Sequence, residues 1–264
     1  MNQIELEGLR IAYQRAGDGP PLVLLHGFVG DSREWRRQLD DLSDEFTVVA
    51  WDAPGSGGSS DPPESFGLPD YADCLAGFVD ALGLKRPHVC GLSFGGVLAL
   101  ELYRRHPEIP KALVLAGAYA GWAGSLGPEA ADQRLRKSLE IADLPPDGFV
   151  GALIPGMFSQ SPPADAVDEF GAIMSECRPD GFRAMVRCIA CDVSDVLPLI
   201  SVPTLLLYGD QDVRADLKVA EAMHAAIPGS KLVVLSGVGH MSSVEAPEAF
   251  NEEVRRFLRA VEST

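Results

Sequence analysis

Ser93 stands in the segment Gly-Leu-Ser-Phe-Gly, with Gly91 two positions before it and Gly95 two positions after it. The apolar run 87–92 predicts a strand and the amphipathic run 95–106 predicts a helix. A sharp turn between them strains the central residue and leaves no room for flanking side chains, which accounts for both glycines. The serine hydroxyl is then exposed beside helix N-terminal amides, which favour negative charge. The pattern predicts a nucleophile, since an N-cap serine would not require both glycines.

A serine hydroxyl becomes a strong nucleophile only beside a general base that a third group orients. Three histidines follow Ser93 in the chain: His106, His224 and His240. His106 precedes Pro107 at a predicted helix end and His224 lies inside a predicted helix, which indicates surface positions. His240 lies on a glycine-containing loop after a predicted strand, from which its ring can reach the serine. We expect His240 to be the base.

The acid is expected in the segment 205–213, which ends a predicted strand and contains Asp210 and Asp212. We favour Asp212, because a residue three positions past Gly209 reaches into a cleft, whereas a carboxylate directly after a strand more often caps the turn. Asp210 is the alternative. An acid one strand earlier is excluded, because the segment 115–122 contains no carboxylate.

Negative charge develops on the carbonyl oxygen when serine attacks an ester, and backbone amides can stabilise that oxyanion. Phe94, directly after the serine, supplies one amide. The second is expected from Phe28 in the segment 24–30, where Gly27 lets the backbone turn. His26 in this loop is expected to be structural rather than a second base.

Large apolar side chains close to these groups are candidates for a substrate-binding pocket. We expect Phe28, Trp122 and Met241 to contact the substrate, and the ring of Phe94 is a further candidate. Ordinary core packing is the alternative for each of them.

The elements that position these residues alternate along the chain. After a hairpin over residues 3–14, buried strands alternate with amphipathic helices, which is typical of a parallel sheet covered by helices on both faces. Residues 119–195 break the alternation, with several prolines and glycines, short helical stretches and no strand-like run. We therefore expect an α/β core formed by residues 1–118 and 196–264, and a helical cap over 119–195.

The charge of the chain limits its partners. Against 38 acidic residues stand 22 basic ones, giving a net charge of −16, which disfavours nucleic acid and anionic membrane surfaces. Residues 1–10 do not resemble a signal peptide, and no apolar run reaches the roughly 18 residues of a membrane span. We expect a small-molecule substrate and a monomer or small homo-oligomer.

The five cysteines are odd in number and lie in apolar contexts, which predicts reduced thiols and a cytoplasmic protein. Cys188 and Cys191 have the spacing of a redox or zinc motif. Without a second cysteine or histidine pair nearby, core packing is the favoured interpretation, and we expect no metal.

Together these motifs resemble the α/β-hydrolase family in its serine-nucleophile branch, over essentially the whole chain. The motifs stand in the family's order: HGF (26–28), WDAPGSGGSS (51–60), GLSFGG (91–96), YGDQD (208–212) and GHM (239–241). The resemblance implies an eight-stranded, mostly parallel sheet, a helical cap inserted after the sixth strand, and no cofactor. Relatives that dehalogenate or open epoxides carry aspartate where this chain has Ser93. Asp52 is expected to be a structural hydrogen-bonding residue rather than a catalytic one.

The segment 178–212 is similar to the same region of 3-oxoadipate enol-lactonases and related small esterases. Those lactonases bind a carboxylate-bearing substrate, which raises the question of whether Arg178, Arg183 or Arg187 faces the cleft. Surface arginines on cap helices are the favoured interpretation.

The leading prediction is a serine hydrolase that cleaves a small carboxylic ester or lactone through an acyl-enzyme, using Ser93, His240 and Asp212. One alternative is a carbon–carbon bond hydrolase or lyase on the same triad. Another is a small-ligand receptor of the same fold.

Overall fold

A computed structural model describes residues 1–263, through which a single eight-stranded sheet runs. The strands are β1 (Asn2–Leu6), β2 (Leu9–Ala16), β3 (Pro21–Leu25), β4 (Thr47–Trp51), β5 (His88–Leu92), β6 (Ala112–Ala116), β7 (Thr204–Gly209) and β8 (Lys231–Leu235). Their order across the sheet is β1-β2-β4-β3-β5-β6-β7-β8. The pairs β1–β2 and β2–β4 are antiparallel, and every later pair is parallel. The predicted sheet is confirmed.

From β3 onward the helices alternate with the strands, apart from five consecutive helices between β6 and β7 and two after β8. They are α1 (Arg36–Leu42), α2 (Leu68–Ala81), α3 (Phe94–Arg105), α4 (Trp122–Leu126), α5 (Pro128–Ile141), α6 (Pro146–Leu153), α7 (Ala164–Ser175), α8 (Pro179–Ile189), α9 (Leu217–Ala226), α10 (Ser242–Glu245) and α11 (Pro247–Glu262). Helices α4 to α8 lie between β6 and β7 in the chain. The exact division of the chain into core and cap stays a prediction. None of the helices within residues 1–263 combines the length and the apolar character needed to span a bilayer.

The hydrophobic core lies on both faces of the central strands. Every residue of β4, β5, β6 and β7 is buried, which requires cover on both faces and explains why these strands are continuous apolar runs. By contrast, β8 at the sheet edge has mostly exposed or half-buried residues. The buried run before Ser93 is therefore a central strand, held from both sides.

The sheet order brings three loops together at one edge. Strands β5, β6, β7 and β8 are neighbours and parallel, so their carboxyl ends lie side by side. Ser93 follows β5 directly, Asp212 follows the end of β7 by three residues, and His240 follows the end of β8 by five. Ligands of open α/β sheets bind at this edge, outside the carboxyl ends of the strands.

All five cysteines are free thiols: Cys74, Cys90, Cys177, Cys188 and Cys191. Burial raises the pKa of the Cys188 thiol to about 12 and that of Cys191 to about 11. Since metal binding and thiol exchange both use the thiolate, these two protonated thiols are poorly suited to either. Within residues 1–263, His, Cys, Asp and Glu side chains form no group of three that could hold a metal ion.

Candidate active site

Ser93 occupies a strained turn between β5 and α3. Its backbone has φ 55° and ψ −111°, a region that a residue with a side chain rarely adopts, and its N–H donates to Ala116 O at 2.9 Å. A Cβ added at Gly91 would lie 2.2 Å from Gly95 O, and one added at Gly95 would lie 2.0 Å from Leu25 O. The glycines are therefore required by close backbone contacts, as the sequence pattern indicates.

His240 and Asp212 form a buried pair, with His240 Nδ1 2.7 Å from Asp212 Oδ2. The other carboxylate oxygen, Oδ1, accepts the backbone N–H groups of Arg214 at 2.8 Å and Ala215 at 2.9 Å. Because a carboxylate only accepts hydrogen bonds, this contact assigns the ring proton to Nδ1. The neutral imidazole therefore has Nε2 free to accept a proton.

The other candidate acid and bases lie elsewhere. Asp210 accepts the N–H of Gly237 at 2.7 Å and the hydroxyl of Ser236 at 3.1 Å, so it fastens the turn after β7 to the turn after β8. The remaining downstream histidines have polar partners outside this site: His106 contacts Asp73 and His224 contacts Ser230, each at 2.8 Å.

His26 and Asp52 bind backbone. The Nε2 atom of His26 accepts the N–H of Ala53 at 2.9 Å. The carboxylate of Asp52 accepts the N–H groups of Ser32 at 2.8 Å and Gly58 at 2.7 Å. Both side chains join the loop after β3 to the loop after β4, which is a structural role.

Two backbone amides beside Ser93 are free to donate. Among residues 1–263, the N–H groups of Phe28 and Phe94 have no hydrogen-bond acceptor. The neighbouring Gly27 N–H is already used, since it donates to Glu34 Oε1 at 3.3 Å. The unused amide of Phe28 in the loop after β3 and that of Phe94 at the first residue of α3 are therefore both available to a ligand.

A pocket of about 360 Å³, including its mouth, opens at this edge of the sheet. Its lining comprises Gly27, Phe28, Val29, Leu92, Ser93, Tyr119, Trp122, Arg134, Met157, Phe170, Arg214, His240 and Met241. The three predicted substrate contacts are in this lining, and the rings of Phe28 and Trp122 pack edge to face at 6.1 Å. The ring of Phe94 instead packs against Tyr71 in the core. Core packing, the alternative interpretation for this ring, agrees with that contact.

Comparison with known families agrees with this geometry. The model of the alpha/beta hydrolase family matches residues 22–253. The chain belongs to this family.

Relatives of this α/β hydrolase carry several different names. A protein of Pseudomonas savastanoi pv. phaseolicola named "Putative carbamate hydrolase RutD" is 30% identical, over 92% of this chain and 95% of its own. A thermophilic esterase from Thermogutta terrifontis, solved with malate bound, has a TM-score of 0.91 and 30% identity, over 99% of both chains. The enol-lactonase from Burkholderia xenovorans LB400 has a TM-score of 0.86 and 25% identity, over 98% of this chain and 100% of its own.

The three arginines considered for a substrate carboxylate lie outside the hydrolase pocket. Arg178 binds Asp61 and the carbonyl oxygens of Gly57 and Ser59, each at 2.7 Å. Arg183 pairs with Asp180 on α8 and with Asp143 between α5 and α6, and Arg187 lies with it along an outer groove. The favoured interpretation, surface arginines, agrees with these positions.

Sequence reasoning missed the two arginines that the hydrolase pocket does contain. Arg214 lies two residues after Asp212 on the same loop, and this proximity in sequence was a usable signal. Arg134 lies on α5, and nothing in its local sequence distinguishes it from the exposed charged residues around it. Tyr119, which hydrogen-bonds Arg134 at 3.0 Å, was missed with it.

Glu34 is a buried carboxyl group behind the Phe28 loop. Its Oε1 accepts the Gly27 N–H, while its Oε2 has no partner within residues 1–263. Burial, followed by the negative charge of Asp31, raises the pKa of Glu34 well above its usual value of 4.5. The folded protein therefore keeps a proton on Glu34 at pH values where the unfolded chain releases it.

This difference predicts a pH-dependent gain of stability for Glu34→Gln. Because the folded-state pKa is raised, the wild-type group costs stability as pH rises above about 4.5, whereas glutamine keeps the acceptor for Gly27 and does not titrate. The Tm of the variant minus that of wild type should be about 2–4 °C larger at pH 8 than at pH 5, which corresponds to ~1 kcal/mol in the free energy of unfolding. Thermal unfolding at both pH values tests this. The exposed Glu221→Gln is the control, and an equal Tm difference at both pH values would contradict the prediction.

Proposed function

We propose that this α/β hydrolase is a serine hydrolase that cleaves a small carboxylic ester or lactone through an acyl-enzyme. The observation that carries the proposal is a shared pocket lined by Ser93 and His240, with Asp212 2.7 Å from the ring of His240. A nucleophile, a base and an orienting acid at one cleft are the parts that acyl transfer by serine requires.

In the proposed reaction, His240 Nε2 takes the proton of the Ser93 hydroxyl as Oγ attacks the substrate carbonyl. The amide N–H groups of Phe28 and Phe94 donate to the oxyanion of the tetrahedral intermediate. His240 then gives the proton to the departing alcohol, leaving the acyl group on Ser93. A water molecule, deprotonated by His240, releases the acid and restores the serine.

The pocket supports a small substrate. Most of its lining side chains are apolar and a few polar groups converge on it, which is the character of a small-molecule site. The names of two structural relatives, an esterase and an enol-lactonase, agree with an ester or lactone as substrate.

A carbamate is the second candidate, because a relative 30% identical over 92% of this chain bears the name of a carbamate hydrolase. The same attack by Ser93 on a carbamate carbonyl would give a carbamoyl-enzyme. Faster turnover of carbamates than of esters with the same leaving group would favour this candidate.

The test is rapid-mixing hydrolysis of p-nitrophenyl esters from acetate to octanoate, with p-nitrophenyl carbamates beside them. We expect a p-nitrophenolate burst equal to the enzyme concentration wherever deacylation is slow, and highest kcat/KM for the shorter acyl chains. Mass spectrometry of the quenched reaction should find the acyl group on the peptide that contains Ser93. No turnover of any ester, lactone or carbamate would overturn the proposal and would leave carbon–carbon cleavage and ligand binding to be tested.

A further inference from the structure

Two guanidinium groups lie in the wall of the pocket beside Ser93, those of Arg134 and Arg214. Within residues 1–263, neither forms an ion pair with a carboxylate, although acidic side chains outnumber basic ones in this chain by 38 to 22. Most other arginines whose contacts are described here, Arg178 and Arg183 among them, pair with acids at the surface. Among the described residues, no carboxylate therefore contacts either pocket arginine directly.

The hydrogen bonds of these arginines fix them without neutralising them. Arg134 donates to the Tyr119 hydroxyl at 3.0 Å and to the Arg214 carbonyl at 3.1 Å. Its guanidinium also stands over the rings of Tyr119 and Trp122, at 5.8 and 5.9 Å from their centroids. Arg214 donates through Nη2 to the carbonyl of Leu153 at 2.7 Å. All of these partners are neutral.

Arg214 also keeps one donor unused. Its Nε atom is buried and has no hydrogen-bond partner within residues 1–263. A buried donor without a partner costs free energy, more so on a charged group. Burial lowers the pKa of Arg214 and the charge of Arg134 adds to this, while Tyr119 and Asp212 act in the opposite direction. An anion placed here would accept from the unused Nε donor and would stabilise the charged guanidinium. Asp212, two residues earlier in the chain, has its oxygens bound by His240 and by the amides of Arg214 and Ala215.

We infer that the substrate carries a carboxylate besides the bond that is cleaved, and that Arg214 and Arg134 bind this carboxylate in the pocket. The inference rests on the proposed function, since it names the class of ester or lactone that Ser93 would attack. A guanidinium suits a carboxylate because it offers fixed donors and permanent charge. The small pocket and the net charge of −16 favour a single carboxylate over a larger polyanion.

The first test compares two esters of equal shape. Monomethyl glutarate ends in a carboxylate, and methyl 5-methylhexanoate replaces that carboxylate with an isopropyl group. Wild-type kcat/KM should be about 10- to 100-fold higher for the charged ester, the effect of a charge-assisted hydrogen bond or two. In Arg214→Gln and Arg134→Gln this ratio should fall toward one. Because both esters are compared on the same variant, a general loss of activity or of folded protein does not change this ratio.

Arg183→Gln is the matched control, because Arg183 lies on α8 and pairs with Asp180 at 2.9 Å outside the pocket. It should keep the wild-type ratio. If the wild type cleaves both esters through Ser93 at similar kcat/KM, and Arg214→Gln changes nothing, the carboxylate inference is wrong while the proposed hydrolase function stands.

A binding measurement separates the two proposals if no ester is cleaved. Calorimetric titration of monomethyl glutarate into Ser93→Ala measures the affinity of the arginine site for the charged ester without turnover. Methyl 5-methylhexanoate serves as the uncharged reference. Binding of the charged probe alone, lost in Ser93→Ala/Arg214→Gln, would support the carboxylate site whatever the reaction proves to be. Equal affinity for both probes, or no effect of Arg214→Gln, would overturn it.

Discussion

Ser93→Ala is expected to lower kcat by about 10⁶-fold on any ester that the wild type cleaves, and to abolish the burst. The substitution removes the only atom that can form the proposed acyl bond, while the amides of Phe28 and Phe94 and the pocket remain. Residual activity of about 10³- to 10⁴-fold over the reaction in water would come from those amides and from substrate binding. Steady-state and burst kinetics on the same p-nitrophenyl ester measure both effects.

The control for this variant is Ser242→Ala. Ser242 is also a buried serine and lies two residues after His240, but it is absent from the pocket lining and its hydroxyl has no partner within residues 1–263. Its removal should change kcat/KM by less than about threefold and leave thermal stability nearly unchanged. If Ser93→Ala retained wild-type activity with Ser242→Ala inactive, the nucleophile would be wrongly assigned.

Local backbone geometry made Ser93 predictable from sequence. Gly91 is required by a contact with Gly95 within one strand–turn–helix unit, and Gly95 by a contact with Leu25 at the end of the neighbouring strand β3, so both requirements leave a mark within five consecutive residues. Asp212 and His240 were predictable for a different reason. Each follows a strand that the parallel sheet must align with β5, so their approach depends only on strand order.

The charged part of the pocket could not be predicted in this way. Arg134 and Arg214 are 80 residues apart in sequence, and their contact through the Arg214 carbonyl depends on how α5 packs over the sheet edge. Arg178 shows the same limit for an arginine that lies outside the pocket. It forms an ion pair at the surface with Asp61, which lies 117 residues away in the sequence. Helix periodicity tells which side of a helix is polar but does not tell which polar residue faces a cleft.

Asp212→Asn is expected to lower kcat/KM by about 10⁴-fold, with KM little changed. The asparagine carbonyl can keep the backbone N–H groups of Arg214 and Ala215, so the loop after β7 should hold its shape. Its NH₂ group would then face His240 Nδ1 and donate to it. This favours the tautomer with its proton on Nε2, which cannot accept the proton of Ser93. The loss is measured as kcat/KM on one ester, corrected for active enzyme by burst titration.

Asp210→Asn is the control that shows whether this loss of activity comes from the changed contact with His240 or from a general weakening of the loop after β7. Asp210 lies on the same loop and binds Gly237 and Ser236, so its replacement weakens the same region without altering the histidine. We expect Asp210→Asn to lose some thermal stability but to keep kcat/KM within about threefold of wild type. If both variants lost activity equally, the loop alone would explain the effect. If only Asp210→Asn lost activity, Asp210 would be the acid, and the His240–Asp212 contact would not be catalytic.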